Sequence, residues 1–170
     1  MAMIRKASAV RKKLHMLIYG EQGTGKSRTA MQLCYLKNAD GKPFRVLYLD
    51  TENGSIDNYT EELEANGVNP DNLLIVYTQS LAEVQDYIKM VTNDEDIEDE
   101  NGDVYLDADG KPFRADALVV DSASILKMTA TQGLTAFSQK RAKVKAASQG
   151  LTGDEKAVKI EGAGMELKDF

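Results

Sequence analysis

A single cysteine, three prolines and no tryptophan stand in a chain of 170 residues. Cys34 has no second cysteine to pair with, which excludes a disulfide framework, and its place inside a helical stretch reads as a small buried hydrophobe. Few prolines, 42% apolar residues and a net charge of −6 exclude disorder throughout the chain. No apolar run is long enough to span a bilayer. Met1 to Lys13 is too basic, and too poor in consecutive apolar residues, for a secretory leader. A cytoplasmic protein without a membrane partner is therefore expected, and the length suits one α/β domain with a real core.

What the chain does contain begins at residues 20–27, GEQGTGKS, which fit the phosphate-binding loop pattern G-x-x-x-x-G-K-[ST]. Gly20, Gly23 and Gly25 allow turns and close approach that a Cβ would block, so that successive N–H groups point inward at a phosphate. Lys26 supplies the point charge for the β and γ phosphoryl oxygens, and Ser27 a hydroxyl for Mg²⁺. The expected phosphate site comprises Gly20, Glu21, Gln22, Gly23, Thr24, Gly25, Lys26, Ser27 and Arg28. The run Met16-Leu17-Ile18-Tyr19 is expected as the strand that delivers the loop, and Lys26 to Leu36 as the helix that adds its N-terminal dipole.

Further along, strand-like and helix-like pieces alternate. Val46 to Leu49, Leu73 to Tyr77 and Leu118 to Val120 read as buried strands, with helices expected over Ile56 to Ala65 and Ala82 to Thr92. Ser80 and Glu83 form a capping box at the start of the second. Strands apolar on both faces, joined by helices, imply a mostly parallel sheet covered on both sides. The phosphate loop then lies at its carboxyl edge.

Two acidic positions at strand ends complete the chemistry. Asp121 closes Ala117-Leu118-Val119-Val120-Asp121, the pattern of a Walker B strand, whose carboxylate holds Mg²⁺ through water or Ser27. After Val46 to Leu49 comes Asp50-Thr51-Glu52, in which Glu52 is the candidate to orient or deprotonate an attacking water. A helix-cap role for Glu52 stays open, since Asn53, Ser55 and Asp57 are turn and cap formers, and Asp50 is a candidate for capping or for the metal shell.

The order GEQGTGKS, VLYLDTENG, ALVVDS resembles the RecA-like branch of P-loop ATPases. Within it, the basic lead-in to MLIYG, the DTENGSID stretch and VVDSASILK followed by KRAKVKA are similar to phage- and prophage-encoded ATP-binding proteins of the RecA-like AAA type. The resemblance implies a P-loop NTPase fold, ATP and Mg²⁺ as cofactors, Glu52 as catalytic base, and Asp121 and Lys26 beside it. It also implies a role in phage DNA recombination, annealing or replication in the host cytoplasm. Single-stranded DNA, a homo-oligomer or a phage recombination protein are the partners it brings with it. Such domains carry a further core strand after Walker B, between the Walker A and Walker B strands. None is evident between Asp121 and Phe170, so the 170 residues are expected to be a single RecA-like domain lacking its C-terminal part.

Residues 93–116 are expected to be an insertion, with a solvated acidic loop from Asp94 to Glu100 and then a small hairpin turning at a D-G step before Phe113. Asp103, Asp107 and Asp109 lack the full calcium loop and its terminal glutamate. Basic residues gather at Arg5, Lys6, Arg11, Lys12 and Lys13, and again at Lys140, Arg141, Lys143 and Lys145 in a helix expected over Ser124 to Ser148. They can contact the phosphates of single-stranded DNA, stand as solvated helix faces, or, for Arg141, reach a neighbouring subunit's γ-phosphate. Glycines over 149–165 mark a flexible segment. A nucleotide-gated DNA-binding or scaffold protein with negligible hydrolysis shares the same loop. A small-molecule kinase fits less well, because the insertion is acidic where such lids carry arginine.

Overall fold

A computed structural model of the chain describes residues 13–99, 101–157 and 159. Three strands, β1 (Val46–Asp50), β2 (Leu73–Tyr77) and β3 (Ala117–Asp121), form a parallel sheet in the order β2-β1-β3. Its helices are α1 (Lys26–Met31), extended by a 3₁₀ turn over Gln32–Tyr35, then α2 (Asp57–Ala65), α3 (Leu81–Asn93) and α4 (Ala123–Ser148). This is the α/β, P-loop NTPase-like architecture that the alternation of the sequence implies.

The central strand is fully buried because both of its faces are covered. Val46 and Tyr48 point into one cluster with Met31, Cys34, Ile56, Leu63 and Val119, under α1 and α2. Leu47 and Leu49 point into the other, with Val84, Ile97, Phe113 and Leu126. Burial raises the Cys34 thiol to about 11, so it remains protonated and inert at neutral pH. The capping box at Ser80 is half realised. Ser80 accepts from the Glu83 N–H at 3.3 Å, while the Glu83 carboxylate takes the Thr78 hydroxyl.

One expected strand is absent from the sheet. Met16 to Tyr19 runs as coil, with Met16, Leu17 and Tyr19 exposed at 66, 79 and 87%. A parallel strand needs hydrogen-bonded neighbours, and both edges of β1 are already taken by β2 and β3. The outer edges of β2 and β3 stay open among the described residues, and the run pairs with neither.

The insertion holds more than a solvated loop. Ile97 and Phe113 are buried in the cluster around Leu47 and Leu49, and Arg114 pairs with Asp94 at 3.5 Å and with Asp96. Antiparallel bridges join Glu98 to Val104 and Leu106 to Pro112 around two tight turns. A third turn of the same kind precedes β1, bridged from Lys37 to Pro43. Residues 38–45, NADGKPFR, and 107–114, DADGKPFR, differ only at the first position. In each turn one side-chain oxygen, Asn38 Oδ1 or Asp107 Oδ1, accepts the N–H groups two and four residues on at 3.0–3.1 Å. Gly41 and Gly110 supply the positive φ, 77° and 72°, that closes the turn. The two copies clasp each other below the sheet. Lys42 pairs with Asp109, and Arg45 pairs with Asp107 at 3.4 Å and Asp116 at 3.0 Å.

α4 differs from the other helices. Only Leu126 and Ala146 are buried on it, whereas Leu134, Phe137 and Val144 are exposed. Arg141 lies over the Phe137 ring at 5.8 Å. No helix among the described residues is long and apolar enough to cross a membrane. Arg5, Lys6, Arg11 and Lys12 lie outside the described residues, as do Gly162 and Gly164, while residues 153–157 of the expected flexible segment are helical.

Asp107→Ala removes the acceptor for two N–H groups and one partner of Arg45, and should lower stability in urea unfolding by about 2–3 kcal/mol. Asp107→Asn should cost less than half of that, because Asn38 already closes the same turn with an amide oxygen. Equal losses for the two variants would show that the turn geometry is not the source.

Candidate functional site

Sheet order decides where a ligand can sit. β1 leads to β2 on one side, and the chain then crosses back to β3 on the other, so the crevice between β1 and β3 opens at their carboxyl ends. Asp50 and Asp121 are register partners there, and the rim groups stand on these two strand ends.

The loop reaches this crevice through α1. Gly23 and Gly25 adopt φ of 80° and 82°, a conformation that side chains with a Cβ resist. At Gly20 an added Cβ would meet Thr24 Oγ1 at 2.9 Å. The Thr24 hydroxyl donates to the Glu21 carbonyl at 2.8 Å, and the Lys26 ammonium donates to the carbonyls of Gly20 and Glu21 at 3.1 and 2.8 Å. Lys26 therefore rests on its own loop. Ser27, one residue on, donates from Oγ to Asp121 Oδ2 at 2.5 Å. This bond spans 94 positions of sequence and brings the loop and the β3 carboxylate to one point.

A second donor meets the same oxygen, the Tyr48 hydroxyl at 2.6 Å. The phenol is pushed well above its usual range, first by burial and then by its hydrogen bond to Asp121, so it remains a donor at any physiological pH. Both donors converge on Oδ2, and among the described residues Oδ1 receives none.

Asp50 has a different task. Its buried carboxylate accepts the N–H groups of Glu52 at 2.8 Å, Gly54 at 3.0 Å and Ile56 at 3.3 Å, folding the β1–α2 loop around itself. Asp50 thus closes the loop ahead of α2, whose own N-terminus carries no side-chain cap. Glu52 leaves this loop toward β3, where Oε1 accepts from Ser122 Oγ at 2.7 Å. Thr51 Oγ1 donates to the Ser122 carbonyl and accepts the Ser122 N–H, and Gln79 Nε2 donates to the Thr51 carbonyl at 3.1 Å.

Ser27 and Asp121 are thus in contact, and Glu52 is hydrogen-bonded to Ser122, the residue that follows Asp121. Glu21 takes part through its carbonyl, and Gln22 is exposed. Arg28, expected among the phosphate contacts, turns its guanidinium instead to Glu62 on α2 at 2.8 Å. At the third position of the six-residue α1, the Arg28 side chain lies against α2. Tyr48, Ser122 and Gln79 were not singled out by pattern. Alternation along β1 puts Tyr48 on the face of Asp50, which was the available signal.

An oxygen-only pair of one serine hydroxyl and one carboxylate matches what Mg²⁺ takes from protein when phosphates and water supply the rest. No group of three or more His, Cys, Asp or Glu side chains suited to a metal occurs among the described residues, the insertion aspartates included. A family model described as an AAA domain matches residues 12–153. No curated protein and no solved structure matches the chain.

Asp50→Ala should speed hydrogen exchange at the amides of Glu52, Gly54 and Ile56 by at least about tenfold, the loss expected for hydrogen bonds to a charged acceptor. Unchanged protection at those three amides would mean that the loop does not depend on this carboxylate.

Proposed function

The chain belongs to the AAA domain family, and on that premise we propose that it binds ATP with Mg²⁺ and hydrolyses it to ADP and phosphate. The observation that carries this reading is the Ser27–Asp121 hydrogen bond, with Glu52 hydrogen-bonded to Ser122, the residue after Asp121. The amides of residues 20–27 cradle the phosphates, and Lys26 exchanges the neutral carbonyls of Gly20 and Glu21 for charged phosphoryl oxygens. Ser27 and Asp121 are the residues that would hold Mg²⁺, which when bound neutralises charge on the β and γ phosphates.

Glu52 is the base in this reading. Its carboxylate accepts a proton from water as the water oxygen bonds to the γ-phosphorus, and the bond to the β–γ bridging oxygen breaks to release ADP. Ser122 orients that carboxylate between turnovers through the 2.7 Å contact.

The process served is proposed to be phage DNA recombination or annealing on single-stranded DNA. Lys127, Lys140, Arg141, Lys143 and Lys145 are all exposed on α4, and none forms an ion pair with another described residue. A row of uncompensated cations favours a polyanion, and the neighbouring Phe137 offers a stacking face. If turnover proves negligible while nucleotide changes DNA affinity, the chain is a nucleotide-gated binder instead.

Lys26→Ala should weaken ATP binding by two orders of magnitude or more in calorimetry, and wild-type affinity in that variant would overturn the loop assignment. Glu52→Gln should retain binding and lose at least about 100-fold in phosphate release. Phosphate release titrated with single-stranded DNA from low to high salt tests the coupling. Stimulation that fades steeply with salt supports it, and a rate indifferent to DNA removes it.

A further inference from the structure

We propose that Tyr48, in the middle of the buried central strand, is a positioning residue for the Asp121 carboxylate and thereby sets how readily the site takes up a divalent cation. The proposal rests on the reading of Ser27 and Asp121 as the cation-holding pair.

Asp121 alone has little to hold its orientation. The terminal torsion of an aspartate is broad, and the Ser27 hydroxyl can rotate toward any nearby acceptor. Tyr48 removes both freedoms at once. Its ring is completely buried beside Met31, Cys34 and Val119, so the hydroxyl is delivered to a fixed point. There it meets Asp121 Oδ2 at 2.6 Å, the same oxygen that takes the Ser27 proton at 2.5 Å. With Oδ2 occupied by two donors, Oδ1 is the oxygen left to face a cation or its water. Because Ser27 spends its only proton on Oδ2, both lone pairs of its own oxygen stay available to a cation.

A buried phenol also simply needs a partner, so a structural role must be separated from a positioning one. Register makes the contact specific. Tyr48 is aligned with Val119, two residues before Asp121, and the phenol spans that offset from the face of β1. Phenylalanine at this place would keep the ring packing and delete one oxygen.

The test compares wild type with Tyr48→Phe by calorimetric titration of ATP in EDTA and at increasing Mg²⁺, with urea unfolding alongside. Affinity for ATP without metal should be unchanged within twofold. The Mg²⁺ concentration that half-restores tight binding should rise about tenfold or more, as for other residues that orient a metal ligand. Thr51→Val, which cuts the contact to Ser122 and leaves Asp121 Oδ2 untouched, should lower stability without moving that midpoint. An unmoved Mg²⁺ midpoint in Tyr48→Phe overturns the proposal, and so does an equal shift in Thr51→Val. Should the phenylalanine variant not fold alone, the same titrations on all three proteins in trimethylamine oxide favour the compact state without restoring the donor. Wild type that binds ATP equally with and without Mg²⁺ overturns the underlying assignment of Ser27 and Asp121, and this proposal with it. A shift confined to Tyr48→Phe supports both.

Discussion

Val46–Asp50 is bonded in parallel to strands on both sides at one common level, with Asp50 opposite Tyr77 in one direction and Asp121 in the other. The ladder continues one step beyond the strands. The Thr51 N–H donates to the Asp121 carbonyl at 2.7 Å, and the Thr78 N–H to the Asp50 carbonyl at 3.1 Å. Thr51, Thr78 and Ser122 therefore leave the sheet at the same height, and every contact of the rim is built from there. A slip of one residue would turn Tyr48 and Asp50 to the opposite face and remove them from α1. Two fully covered faces make such a slip expensive, since it would drive a carboxylate into an apolar cluster. α1 depends on the same register. No strand ties it to the sheet from its N-terminal side, so burial of Met31 and Cys34 and the Ser27–Asp121 bond place it.

Two kinds of aspartate in this protein stand apart by what their oxygens accept. Asp50, Asp99 and Asp107 each bend their own backbone, taking the N–H groups two and four residues ahead, as Asn38 does with an amide. Their lone pairs are consumed in making turns. For the exposed Asp99, those backbone donors also hold the carboxyl below its ordinary range. Asp121 accepts from two side chains far away in sequence and serves no turn of its own. That contrast separates a carboxylate available for ligand chemistry from carboxylates that are part of the scaffold. The aspartates at 94–109 are committed in the same way: Asp107 closes its turn and pairs with Arg45, Asp109 pairs with Lys42, and Asp94 and Asp96 face Arg114.

Much of this was legible from residue order. Each strand of the sheet is an uninterrupted apolar run ending in Asp or Tyr, and helices α2, α3 and α4 begin and end within a residue or two of where periodicity and caps put them. Met16 to Tyr19 misled for a definite reason: apolarity records that a run has something to gain from burial, and says nothing of which neighbour will bond it. Ile97 was hidden because one apolar residue among acids carries no period, although it buries the loop's one apolar side chain in the core. The doubled NADGKPFR and DADGKPFR turns could have been found by comparing the chain with itself, and their charge clasp by noting that each copy carries both signs. The phenol of Tyr48 could not. Its face follows from alternation, but its reach across to β3 depends on a register that only the folded sheet defines.

Glu52 illustrates how a side chain on a loop becomes as well placed as one on a strand. Asp50 grips its backbone from below, Ser122 holds its carboxylate from β3, and Gln79 at the end of β2 holds the preceding carbonyl. Gln79 is itself braced, since its carbonyl accepts from Thr129 Oγ1 on α4 at 3.2 Å. Each strand end of the sheet thus contributes at least one hydrogen bond to a segment only two residues long. A group restrained from three directions loses little freedom on meeting a ligand, and preorganisation of that kind is what electrostatic work at a phosphate requires. Ser122 is only half-buried, and its bond to Glu52 is exposed. Its hydroxyl can turn away from Glu52 without disturbing the Thr51 contacts, which use only the Ser122 backbone. The restraint on Glu52 is therefore firm in the backbone and releasable at the carboxylate, which is the combination a proton acceptor needs.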